Sequence, residues 1–169
     1  MNESDPVKYR KYRDSDIETA RSLWAQLTAA HRTIYDDPGI GGDDPGSFFD
    51  THLQKVGADN IWVADMNGQV VGLMGLEVEG DELTIEPLIV DSEWRGRGIG
   101  EGFMNLAVRE ARARNASYLN VSPVARNTAA IRFFHINGMM NVGHVELFMD
   151  MKAKRWKDGL RLHGLDFNY

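Results

Sequence analysis

Leu83-Thr84-Ile85-Glu86-Pro87-Leu88-Ile89-Val90 runs through Asp91-Ser92-Glu93-Trp94 into Arg95-Gly96-Arg97-Gly98-Ile99-Gly100. The first part is β-rich, and an apolar helical period begins at Ile99. A strand, a glycine-rich turn and a helix in that order make an anion site. The first amides of a helix have no intrahelical acceptor. Bare glycines let a phosphate come close to them. Arg95 and Arg97 add positive charge at the same place. The common phosphate loops do not fit this spacing. A P-loop needs Gly, four residues and then Gly-Lys-Ser/Thr. A dinucleotide fingerprint begun at Gly96 needs glycine where Glu101 stands, and one begun at Gly98 needs it where Phe103 stands. What remains is Arg-x-x-Gly-x-Gly.

Outward from this stretch, the pattern alternates strands and helices. Val7 to Arg13 reads as a strand. Ser15 to Glu18 reads as a capping box before a helix that runs to about Ala30. An acidic, turn-rich loop holds Asp36, Asp37, Asp43 and Asp44, and a short helix over Ser47 to Val56 follows. Ile61–Asp65 and Gln69–Glu79 read as a hairpin around Asn67-Gly68, and Glu82–Val90 adds a third strand. Ile99, Phe103, Leu106, Ala107 and Ala111 form one helical stripe. Tyr118–Ser122 reads as a strand, Asn127–Ile136 as a helix, and Met139–Met151 as two more strands. Helices on both faces of such a sheet predict an α/β (α+β) fold, with one domain over residues 1–151 and a C-terminal extension over 152–169.

Composition bounds the function. The chain has 169 residues, a net charge of −6 and no cysteine. A disulfide scaffold, a zinc–thiolate site and a cysteine nucleophile are excluded. The acidic balance argues against nucleic acid. No apolar run approaches the roughly 20 residues that span a bilayer. A cytoplasmic protein is the expectation. The five histidines show no ligand spacing, so no metal is expected.

The Arg95–Gly100 motif resembles the pyrophosphate loop of the GNAT superfamily, the acetyl-CoA-dependent N-acetyltransferases. A second signature of that family follows in order: Asn127, Ala130, Phe134 and Gly138. The resemblance covers about residues 7–151. It implies a mixed central sheet of about seven strands, with a splayed strand pair that opens a slot for CoA. It also implies that the amides of Arg97, Gly98, Ile99 and Gly100, with Arg95, cradle the CoA pyrophosphate. The main chains of Leu88 and Val90 would hold the pantetheine arm, and Asn127 would hold it from the other side. The amide of Leu88 would serve as oxyanion donor.

One position departs from the family. Phe134 stands where a tyrosine usually serves as general acid, and Phe133 and His135 point elsewhere on the helix. A thiol with a pKa of about 8.5 still leaves tolerably near neutrality, and water or Ser122 is left to supply the proton. The departure keeps a second reading open, an acyl-CoA-binding module with little or no catalysis; in either reading Phe134 is a candidate to pack against the acyl or pantetheine chain. For the general base, two-residue alternation places Thr84, Glu86, Leu88 and Val90 on one face, which makes Glu86 the candidate. A buried carboxylate there is costly unless paired or working. Glu77 and Glu79 are weaker candidates.

The acceptor is less determined. The acids of the 36–44 loop, with Asp50, suit a cationic amine, either a small molecule or a protein amine. Tyr35, Phe48 and Phe49 are candidates for an apolar wall. The apolar residues of the C-terminal extension dock on the same chain or on a second copy, the latter giving a homodimer.

Overall fold

The computed structural model describes residues 6–152 and 156–169. The chain divides into two compact units after Ser122.

In the first unit, β1 (Lys8–Lys11), β2 (Ile61–Met66), β3 (Gln69–Glu79), β4 (Glu82–Val90) and β5 (Tyr118–Asn120) form one sheet in that order. The first four strands are antiparallel, and β5 runs parallel to β4. The turn from β2 to β3 has φ of 53° at Asn67 and 88° at Gly68, the backbone that Asn-Gly adopts at little cost. Helices α1 (Ile17–Tyr35) and α2 (Phe48–Val56) cover one face. There Leu23, Phe49, Val63, Leu73 and Ile89 belong to one buried cluster, with Trp24 packed against it. Helix α3 (Ile99–Ala113) takes the other face. Gly72 marks the close approach, because a Cβ on it would stand 2.9 Å from the Phe103 ring.

Helix α1 does not begin with the Ser15–Glu18 capping box. Asp16 stands at the N-cap position without a side-chain cap bond to the helix; it is buried, accepts the Arg13 N–H at 2.9 Å in the turn before α1, and binds the Arg10 guanidinium through both oxygens at 2.7 and 2.9 Å. The helix also runs five residues past Ala30, to Tyr35.

The second unit holds α4 (Thr128–Ile136) and a hairpin of β6 (Asp158–Leu162) and β7 (Leu165–Asn168). The central sheet therefore has five strands rather than seven. Met139–Met151 forms neither expected strand. Apolar alternation is not enough for a strand, whose N–H and C=O groups need a ladder partner. Here the pairing goes to residues 158–168 instead. Within this unit Trp156 donates to Asp150 at 2.8 Å and packs on Phe148, and Arg126 donates to the Tyr169 carbonyl at 2.9 Å. Among the described residues no helix is long and apolar enough to cross a membrane.

Candidate functional site

The junction of β4 with α3 is built from main chain. Gly96 and Gly98 have φ of 73° and 81°, and a Cβ on either would meet nothing within 4 Å. They are needed for their left-handed backbone, not for space. Gly98 begins α3, and no side chain caps it. The first helical bond is Gly102 N–H to Gly98 O at 3.0 Å, which leaves the amides of residues 99–101 without an intrahelical acceptor. The Ile99 side chain is buried and anchors the turn, while residues 95–98 are exposed. Arg95 folds back so that its Nε donates to Val90 O at 3.0 Å. Arg97 lies 4.6 Å over the Trp94 ring. Both arginines are exposed on the turn that leads to the free amides.

Two side chains brace this junction. Tyr9 donates its hydroxyl to Ile99 O at 2.9 Å and meets Phe103 edge-on. Burial, then the Glu101 charge, push the Tyr9 phenol above its ordinary pKa, so it remains a donor. Gly102 leaves room for it, since a Cβ there would overlap the Tyr9 ring. On the other side, Gln26 donates to Asp91 at 2.7 Å and accepts from the Ser92 N–H at 3.2 Å. This ties α1 to the start of the loop.

Beside the loop, β4 has an open edge. Its pairing with β5 ends at Thr84↔Asn120, and among the described residues no strand pairs with that edge from Ile85 to Val90. The Asp91 N–H donates to Val71 O at 3.0 Å. Antiparallel ladders alternate bonded and non-bonded pairs, so Ile89 faces β3 with its main chain and Leu88 and Val90 face away. The Leu88 N–H and C=O thus point to the open edge, as does the Val90 carbonyl that Arg95 holds.

The middle of β4 departs from the two-residue alternation. Met74 pairs with Leu88, but Leu76 pairs with Ile85. Glu86 and Pro87 therefore stand opposite Gly75 alone, as a β-bulge. The register puts Thr84, opposite Glu77, on the α1–α2 face and Leu88, opposite Met74, on the α3 face. Thr84, Glu86, Leu88 and Val90 do not share one face. Glu86 is exposed rather than buried, because the bulge lifts it out of the ladder.

The bulge gathers side chains that lie far apart in the chain. One donor atom each of His52, Glu77 and Glu86 lies within 4.8 Å of the others. A Cβ on Gly75 would overlap the Glu86 carbonyl oxygen and stand 2.8 Å from His52 Nε2. Lys55 places its ammonium 2.5 Å from Glu77 Oε1. The trio has the donor types of a divalent-cation site, but the lysine already supplies the positive charge that a cation would bring. His52 escaped sequence reasoning, although a signal existed: Phe49, His52 and Val56 share the buried stripe of α2.

The acids expected on the acceptor side are partly occupied. Asp50 pairs with Arg21 through two bonds, at 2.9 and 2.7 Å, and Arg21 also reaches Glu18. Asp37 accepts the Gly39 N–H in a tight turn. Arg32 holds the carbonyls of Ile40 and Gly42. A groove of about 540 Å³ runs between α1 and residues 44–50, with Glu18, Arg21, Asp44 and Asp50 in its lining. Phe49 belongs to the core, while Phe48 is half exposed.

In the second unit, Asn127 caps α4 by accepting the Ala130 N–H at 3.1 Å. Phe134 is buried, edge-on to Phe133 at 5.2 Å. Ser122, at the end of the first unit, is exposed.

A family model described as Acetyltransferase (GNAT) family matches residues 22–139. N-acetylaspartate synthetase of Danio rerio is 29% identical over 99 residues, which are 57% of this chain and 35% of that protein. An uncharacterised N-acetyltransferase of Methanocaldococcus jannaschii is 30% identical over 89 residues, 48% of this chain and 39% of that one. These matches span well under two thirds of either relative. The aminoglycoside N-acetyltransferase AAC(6')-Iy in complex with CoA has the same fold, with a TM-score of 0.66 at 15% identity over 89% of this chain and 99% of that one.

Proposed function

The chain belongs to the GNAT acetyltransferase family, and we propose that it transfers the acetyl group of acetyl-CoA to a primary amine by direct attack in a ternary complex. One observation carries the reading. The uncapped amides that open α3 follow directly on a β4 end whose Leu88 main chain faces an unpaired edge. A polyanion with an extended, amide-bearing arm matches that sequence of groups. The pyrophosphate takes the amides of Gly98, Ile99 and Gly100, with Arg95 and Arg97 beside them. The arm lies along Leu88 and Val90, Val90 contributing its N–H because Arg95 holds its carbonyl.

In the reaction the amine nitrogen attacks the thioester carbonyl. The N–C bond forms, the C–S bond breaks, and sulfur leaves as a thiolate that takes a proton from water. Phe134 has no proton to give. The Leu88 N–H steadies the oxyanion. Glu86, exposed at the bulge, takes the proton that the amine must lose.

The acids around the 44–50 groove favour a cationic acceptor. This differs from what the name of the Danio rerio relative suggests, an acidic amino acid. The test is CoA release over a panel of a polyamine, an aminoglycoside, peptide N-termini and aspartate, with acetyl-CoA binding measured separately. Turnover is expected on the cationic members. Binding with no turnover on any member would favour the second reading, an acyl-CoA-binding module without chemistry.

A further inference from the structure

Three polar side chains are buried among the described residues. Asp16 has Arg10, and Thr28 has the Trp24 carbonyl. His52 is 6% exposed, and its Nε2 has no partner in hydrogen-bonding geometry among the described residues. Leaving such a nitrogen unmade in a core costs free energy. It faces the bulge of β4, across the space that Gly75 leaves open.

We propose that His52 is a positioning residue for Glu86, holding the carboxylate at the bulge through its Nε2–H, directly or across one water. The proposal rests on the reading of Glu86 as the general base. The separation of up to 4.8 Å is one that a single water spans or a small shift closes. The groups around His52 fit a neutral imidazole with a proton to donate. Trp24 of α1 packs on the ring at 5.0 Å between centroids. Glu77 of β3 faces it but is engaged by Lys55 of α2, which also feels Glu86 and Glu79. Burial above all holds the imidazole below its ordinary pKa, with the Glu77 charge opposing, the Lys55 charge adding to the depression, and the Glu86 main-chain carbonyl opposing it. The acceptors beside Nε2–H then both belong to Glu86, its main-chain carbonyl at the bulge and its carboxylate. A donor fixed in the core would hold an otherwise exposed carboxylate in one orientation, as a base must be held to meet its proton.

The test is a double-mutant cycle on the full chain, read by kcat and KM, acetyl-CoA affinity and thermal unfolding. His52→Leu is expected to lower kcat about tenfold, the scale of one hydrogen bond to a charged group, with acetyl-CoA affinity unchanged. His52→Gln, which keeps an N–H donor, is expected to recover most of the rate. In the Glu86→Gln background His52→Leu should cost nothing further. An equal loss in both backgrounds, with no recovery in His52→Gln, overturns the proposal, since that is what a packing role alone would give. If His52→Leu fails to fold, His52→Met makes the same comparison. If His52→Leu is silent while Glu86→Gln is inactive, this proposal falls and the general base stands. If Glu86→Gln is fully active, both fall. Activity abolished by a chelator and restored by a divalent metal would also overturn it, by giving the three side chains to a cation.

Discussion

The two halves of β4 do different work with different materials. From Leu88 onward the strand, the glycine turn and the first turn of α3 present main-chain groups, and side chains only brace them. At Glu86 the main chain yields to a bulge, where side chains from α2, β3 and β4 converge. Main-chain groups suit a donor such as CoA, whose phosphates and amides are invariant from turnover to turnover. Side chains suit proton transfer, which needs a titratable group. Variants should therefore separate binding from turnover according to the half they touch.

The largest expected effect is at the bulge. Glu86→Gln should lower kcat by about 10²- to 10⁴-fold, the usual worth of general-base help, with acetyl-CoA affinity unchanged by calorimetry. A parallel loss of affinity would erase the division between the halves. Gly75→Ala comes next. Its Cβ would press on the Glu86 carbonyl and His52, an overpacking that costs about 1–3 kcal/mol and lowers the melting temperature. Gly98→Ala should act on the other half alone. A side chain at φ 81° costs about 1–2 kcal/mol, so acetyl-CoA affinity should drop about tenfold, with the rate at saturating donor preserved.

Two smaller effects sharpen the contrast. Burial depresses the His52 pKa, so below the ordinary histidine value the unfolded chain binds a proton that the folded one refuses. Stability should therefore fall as pH drops from about 6.5 towards the folded value, and His52→Gln should flatten that slope in denaturant titrations. Arg95→Ala is expected to be mildest, weakening acetyl-CoA binding about threefold at low salt and less at high salt, because its charge is exposed and screened.

The turns and caps were legible along the chain. Gly96 and Gly98 announce left-handed backbone, Asn127 announces a cap, and Asn67-Gly68 announces a hairpin, each through a preference of the residue itself. The acceptor half was not. Glu86 was picked out by an alternation that the bulge breaks, and His52 looked like an ordinary member of an apolar helix face. Apolar residues from Met139 to Met151 suggested strands, but a strand exists only where a partner accepts its ladder.

The sequence by itself thus determined much of the order of elements, the turn chemistry and the glycine turn before α3, because these depend on local backbone preferences and on residues within a few positions. Only the tertiary structure decided the register slip at Glu86-Pro87, the five-stranded sheet and the meeting of His52 with Glu77 and Glu86. Those depend on which strands pair and in what phase. A shift of one residue between β3 and β4 is enough to send side chains to opposite faces of the sheet.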